Sequence, residues 1–360
     1  QKQAADVMTE ALMKEGVMLT HILGPQTKHQ YEKNSKEEVD RRMTRLAVDG
    51  RDRAPDEVHF VTYSLRYNRM HWLAIDGMAE HWSPARVDAR VEEDGVEIET
   101  KNVTDLTLDF PSGSAHFRPD RKAEVVTVTI DDDELDGPPQ SSDRSWRMHL
   151  TKRDGTWREA ETRESGLAKR HGLQGPIDDA FMDAFVIVRP TGKARSGKFA
   201  AWQKAEMDRA IEHWRRHFRG EPLVKDDTAI TDADIASMNL ILWGDPESNA
   251  VLKRIADRLP FHWNADTIVF GQQTFSAEDH APIAIYPNPL NPNRYVVLNS
   301  GFTFRDYDYL NNARQVPKLP DWAVIDLKTP PNSRYPGKVV AADFFGERWE
   351  IKPPHEKSGQ

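Results

Sequence analysis

Cysteine is absent from all 360 residues, which excludes disulfides, thiol nucleophiles and zinc-thiolate sites. No apolar run approaches the length of a membrane span, and no signal-peptide pattern opens the chain. Basic excess is missing too. A net charge of −9 and a pI near 5.8 argue against a nucleic-acid binder, which needs a concentrated cationic face to displace counterions. The Gly-x-Ser-x-Gly elbow, which presents a nucleophilic serine at a strand-to-helix turn, occurs nowhere. What remains is a long chain rich in Trp and Pro, with 10 and 23 of them, a composition compatible with export to the periplasm or the extracellular space. Its length allows two or three domains, each with its own core.

The first fifty residues carry the sharpest pattern. Gln1 opens directly into a helical period, with Ala4, Ala5, Met8, Ala11 and Leu12 on one face. A short alternating strand is expected at Val17, Leu19 and Ile22. A polar turn from Gly24 to Tyr31 follows, then a second amphipathic helix over Lys36 to Ala47 with Val39, Met43 and Leu46 inward. Helix, strand, His-bearing loop, helix is the closing unit of an α/β-hydrolase, so the segment reads as the end of a larger catalytic body.

The phrase from Leu19 to Tyr31, with Gly24-Pro25, Thr27, His29 and Tyr31 at its centre, resembles the C-terminal end of the hydrolase domain in bacterial prolyl-oligopeptidase-like serine peptidases. The resemblance extends to accessory domains through Asn239 to Pro246, Ile285 to Pro292 and Tyr295 to Phe304. In such enzymes the chain order is nucleophile, acid, histidine, so the resemblance implies that His29 is the triad base. Neither the elbow serine nor a late acid precedes it here. A lone imidazole has nothing to deprotonate and nothing to fix its tautomer, so this chain by itself is expected to be silent in hydrolysis. A peptide or ester is the implied substrate, and no cofactor is implied.

After the polar stretch Asp49 to Pro55, short strands are predicted between Val58 and Leu150, separated by Asp76-Gly77, Asp94-Gly95, Asp136-Gly137 and Asp154-Gly155. That spacing predicts an all-β sandwich over 56–158. Tyr63, Tyr67, Trp72 and Trp82 raise a sugar-stacking surface as an alternative, although strand alternation buries Trp72. Asp132, Glu134, Asp136, Gly137 and Asp143 imitate a calcium loop, but strands flank them and Pro138-Pro139 stiffens the run, so a solvated hairpin is the better reading.

From 165 to 350 the period changes to strand-helix alternation, with a long helix over Phe199 to Phe218. It predicts an α/β accessory domain, flavodoxin-like or Rossmann-like, with a mostly parallel sheet. Gly192 to Lys198 matches a P-loop up to Phe199, where the Mg²⁺-binding hydroxyl should stand; no nucleotide site is assigned. His213 and His217 stand at i, i+4, but Arg215 and Arg216 between them disfavour a metal and a solvent face is expected. The turn Trp243 to Asn249 falls where open α/β sheets place ligands. Asp245 and Asn249 there, with Asn299 and Ser300 from a neighbouring strand end, form a candidate ligand site of vestigial or architectural character. The whole chain thus reads as mixed and multi-domain: a terminal fragment of an α/β-hydrolase over 1–50, a sandwich, then an α/β domain. The rival reading is a non-catalytic binding or scaffold protein that recognises a glycan or a protein partner.

Overall fold

A computed structural model describes residues 2–25, 27–28, 30–118, 125–160, 166–305 and 315–353. The chain divides into two compact units, Gln1–Pro55 and Asp56–Gln360.

The first unit holds two helices, Lys2–Lys14 and Lys33–Asp49. Glu32 caps the second, accepting from the Ser35 N–H at 2.9 Å, and Ser35 Oγ donates back to the Leu23 carbonyl at 3.1 Å. Residues 17–22 are not a strand. A strand needs a ladder partner, and the described residues of this unit supply none. Among them only Ser35 is buried, while Met8, Met13, Met18, Met43, Leu46 and Val48 are exposed.

In the second unit, ten strands from Glu57–Thr62 to Thr156–Glu159 form two five-stranded sheets. Burial alternates along Glu57–Thr62 and Ala85–Val91, so one face of each strand turns inward. The core contains Trp72 stacked on Phe110 at 4.6 Å, with Phe117 and Trp146 packed edge-on to Phe110 or to each other. Trp72 is therefore core, whereas Tyr63, Tyr67 and Trp82 are exposed. The acidic run is itself a strand, Asp133–Asp136, paired antiparallel with Thr127–Ile130.

The remaining residues build a seven-stranded sheet. Val224–Asp226, Phe185–Arg189, Asn239–Leu242 and Asn291–Leu298 run parallel. His280–Asn288, Trp322–Asp326 and Lys338–Asp343 complete it antiparallel. The sheet is mixed rather than mostly parallel, and the cause is local. Pro289-Leu290 closes a hairpin between His280–Asn288 and Asn291–Leu298, and a parallel pair would need a crossover of a dozen or more residues that this stretch lacks. The helix Gly197–Phe218, capped by Ser196, connects the first two parallel strands. A three-stranded antiparallel sheet, His262–Trp263, Thr267–Phe270 and Gln273–Ser276, adds Phe270 between Phe261 and Trp322 in a stack at 4.3 and 4.4 Å.

The five-stranded sheets and the seven-stranded sheet meet through part-buried polar contacts. His81 donates from Nδ1 to Glu347 Oε2 at 2.6 Å and from its N–H to Oε1 at 2.8 Å. His171 Nδ1 donates to the Leu65 carbonyl at 2.9 Å. Nearby, Lys169 Nζ lies 2.7 Å from Asp321 Oδ2, both side chains being wholly buried. Gly175 crosses this pair with φ +75°, and a Cβ there would fall 2.2 Å from Asp321 Oδ1, so only glycine fits.

Candidate functional site

The turn after Asn239–Leu242 is built from side chains that spend their capacity on backbone. Asp245 accepts from the N–H groups of Glu247, Ser248 and Arg195 at 3.0, 2.8 and 2.9 Å. Asn249 caps the helix Ala250–Ile255, accepting from Val251 and Leu252 N–H at 3.0 Å, and donates to the Trp243 carbonyl at 2.9 Å. Asn299 occupies the left-handed region at φ +53°, where Asn is tolerated. It exchanges two hydrogen bonds with Gly244, accepting from the N–H at 2.9 Å and donating to the carbonyl at 3.1 Å. All three are buried, as is Ser300, whose hydroxyl donates to the Gly301 carbonyl at 2.8 Å. Asn299 and Ser300 reach one cavity and Asp245 another, so the four residues do not converge on a single site.

The P-loop-like run is likewise self-satisfied. The Arg195 N–H donates to a carboxylate rather than to a phosphate, Arg195 pairs with Glu247 at 2.9 Å, and Lys198 pairs with Asp279 at 2.7 Å. Arg195 and Lys198 are thus paired with acids from other parts of the fold.

The cavity beside Asn299 and Ser300 measures about 730 Å³, within the usual range for small-molecule sites. It lies between the helix Gly197–Phe218 and the antiparallel half of the sheet. The loop leaving Leu298 approaches the helix closely: a Cβ on Gly301 would come 2.7 Å from that of Ala210. This approach brings Arg305 against Glu206, which it holds through both terminal nitrogens at 2.7 and 3.1 Å, while Nη2 also donates to the Asn332 carbonyl at 2.8 Å. Both side chains are more than nine-tenths buried. Arg209, Lys318 and Arg334 bring further cations to the lining, and Ile283, Leu319, Pro336 and Val339 give it an apolar wall. The wall is pinned from behind. Buried Asp178 accepts from the Thr303 N–H at 2.9 Å and from its hydroxyl, and Thr303 Oγ1 accepts from the Lys318 N–H at 2.7 Å. Burial pushes the Asp178 carboxyl up to about 6.

His213 also lines the cavity, and burial followed by the charge of Arg209 lowers it to about 4. His217 donates from Nδ1 to the His213 carbonyl at 2.8 Å and packs edge-on to Phe302 and Phe304 at 5.2 and 5.3 Å. The two histidines are half-buried among aromatics, contrary to the solvent face expected of them. Among the described residues no group of three or more His, Cys, Asp or Glu has the arrangement to hold a metal ion, and no helix is long and apolar enough to cross a membrane. His29, the expected base, lies outside the described residues.

Sequence reading missed the cationic lining because it follows no motif. Its one visible trace is Glu206, an acid on the inward face of a helix between Trp202, Met207 and Ala210, where an unpaired carboxylate is almost never found. No family model, curated protein or solved structure matches this chain.

Proposed function

We propose that this chain is the histidine-bearing and accessory part of a serine hydrolase of the prolyl-oligopeptidase-like type, acting on a peptide or ester bond. The observation that carries the reading is the first unit's uncovered apolar surface. Helices of 13 and 17 residues are marginal alone in water, and most helical stability comes from packing an apolar face. Here Met8, Met13, Met43, Leu46 and Val48 are all more than half exposed. The two helices have the amphipathic pattern of core-facing elements and call for a body to cover them.

That body would carry the serine and the acid. His29 would take the proton from the serine Oγ as it attacks the carbonyl carbon, then return it to the leaving amine or alcohol, giving an acyl-enzyme. Water, deprotonated by the same imidazole, would release the acid product. The sandwich and the mixed sheet would position substrate or restrict access.

Fluorophosphonate labelling tests this in the polypeptide that joins the present chain to its serine. His29→Ala should slow labelling by roughly 10³-fold or more, as loss of a triad member does. Unchanged labelling would refute the role of His29. A second reading, glycan recognition without catalysis, draws on the exposure of Tyr63, Tyr67 and Trp82. It requires that the joined protein take up no probe.

A further inference from the structure

We propose that the cavity between the helix Gly197–Phe218 and the antiparallel half of the sheet binds a small organic anion, a carboxylate or phosphate head on an apolar body. The inference stands apart from the hydrolase reading and uses none of its residues.

Three observations carry it. First, the described lining holds more cationic than acidic side chains. Arg209, Arg305, Lys318 and Arg334 face the cavity, against a single described carboxylate, Glu206, and that one is already engaged by Arg305 at two points. Second, Arg305 is a fixed charge rather than a flexible one. Its head is clamped by Glu206 and the Asn332 carbonyl, yet its buried Nε hydrogen has no acceptor among the described residues. A buried donor left unmade is costly and is rarely tolerated without a reason. Third, the lining also carries apolar side chains, Ile283, Leu319, Pro336 and Val339, beside the polar Asn299, Ser300 and Thr303, while Lys318 and Arg334 are exposed. A site that sought inorganic phosphate alone would have no use for that wall, and a site for a neutral apolar ligand would not gather cations. His213, kept neutral, donates or accepts there without adding charge.

The test is calorimetric titration of the full chain with phenylacetate, phenyl phosphate, phenylacetamide and inorganic phosphate. At least one of the two aryl anions should bind, with phenylacetamide and inorganic phosphate at least tenfold weaker. Phenylacetate alone assigns a carboxylate ligand, and phenyl phosphate alone a phosphate ester. Arg305 is a poor first target, because its loss orphans buried Glu206. Lys318→Glu and Arg334→Glu alter exposed rim positions, so they should preserve the far-ultraviolet dichroism and melting temperature while weakening the bound anion at least tenfold. Silence with both aryl anions would overturn the proposal. So would phenylacetamide binding as tightly as phenylacetate, inorganic phosphate as tightly as phenyl phosphate, or undiminished affinity in both folded rim variants.

Discussion

Replacing Lys169 by Met should destabilise the second unit by about 3–5 kcal/mol, the usual cost of orphaning one member of a buried ion pair. The structure lets that figure be worked from its parts. Lys169 Nζ and Asp321 Oδ2 are 2.7 Å apart with no solvent exposure on either side chain. At an effective dielectric near 20, charges about 4 Å apart attract by roughly 4 kcal/mol. Once the ammonium is gone, the carboxylate keeps the Phe345 N–H at 3.0 Å on Oδ2, and Oδ1 has no hydrogen-bond partner among the described residues to begin with. Methionine retains most of the packing of the lysine stem, and the ammonium's attraction to the Trp349 ring, 5.2 Å away, accounts for about 1 kcal/mol more. The loss is large beside the 5–15 kcal/mol that holds a typical domain, so about a fifth or more of the margin is at stake.

Urea denaturation followed by circular dichroism reads the effect as a fall in midpoint at unchanged slope. Two further arms separate electrostatics from packing. Burial already raises the Asp321 carboxyl despite Lys169 beside it, and removing Lys169 raises it further. A raised carboxyl stabilises the fold when protonated and loses that contribution as pH rises through its folded value. The gap between wild type and Lys169→Met should therefore narrow on acidification. Adding Asp321→Asn to Lys169→Met should recover at least about half of the loss, because no charge then remains to be paired. A cost below about 1 kcal/mol, or a double variant no better than the single one, would refute the reasoning.

Two other measurements probe the walls of the candidate sites. The Asp178 carboxyl rises from 3.8 to about 6 through burial, and that displacement corresponds to roughly 3 kcal/mol. Its stabilisation is complete below pH 3.8 and disappears as pH climbs through about 6, so wild type should lose about that much relative to Asp178→Asn between pH 4 and 7. A wild-type-minus-variant difference in urea midpoint that stays flat over this range would contradict it. Asn249→Ala strips the cap from Ala250–Ile255 and the bond to the Trp243 carbonyl, and should cost about 1–2 kcal/mol; a thermal melt indistinguishable from wild type would count against the cap.

Period-based reading worked where one physical rule governs the local chain. Alternation holds along Glu57–Thr62 and Ala85–Val91, where a half-buried strand has no other way to satisfy both its faces, and the turns expected at Asp94-Gly95 and Asp154-Gly155 fall between strands. Asp76-Gly77, expected as a break, instead lies inside Leu73–Met78, a strand buried on both faces. The same rule hid Asp133–Asp136, an edge strand whose residues are all polar except Leu135, so that pairing, not patterning, makes it a strand. The order of the mixed sheet was legible in principle. Pro282 to Tyr286 and Tyr295 to Leu298 stand too close in sequence for a parallel crossover, and Asn288 to Asn291 closes the hairpin between them.

Function was the less legible layer, and the two units show why. In the second unit the polar groups that looked chemical in sequence, Asp245, Asn249, Asn299 and the Gly192 to Lys198 run, are consumed by caps, turns and ion pairs. Residues with no motif, Glu206, Arg305, Lys318 and Arg334, come together only because Gly301 lets a loop approach the helix at Ala210. A site assembled by such a tertiary approach leaves no spacing for a pattern to detect. In the first unit the reverse holds. Its helices keep the heptad-like apolar period that normally records a core, yet Met43, Leu46 and Val48 remain exposed. On the function proposed above, that period specifies the apolar surface that would cover both helices.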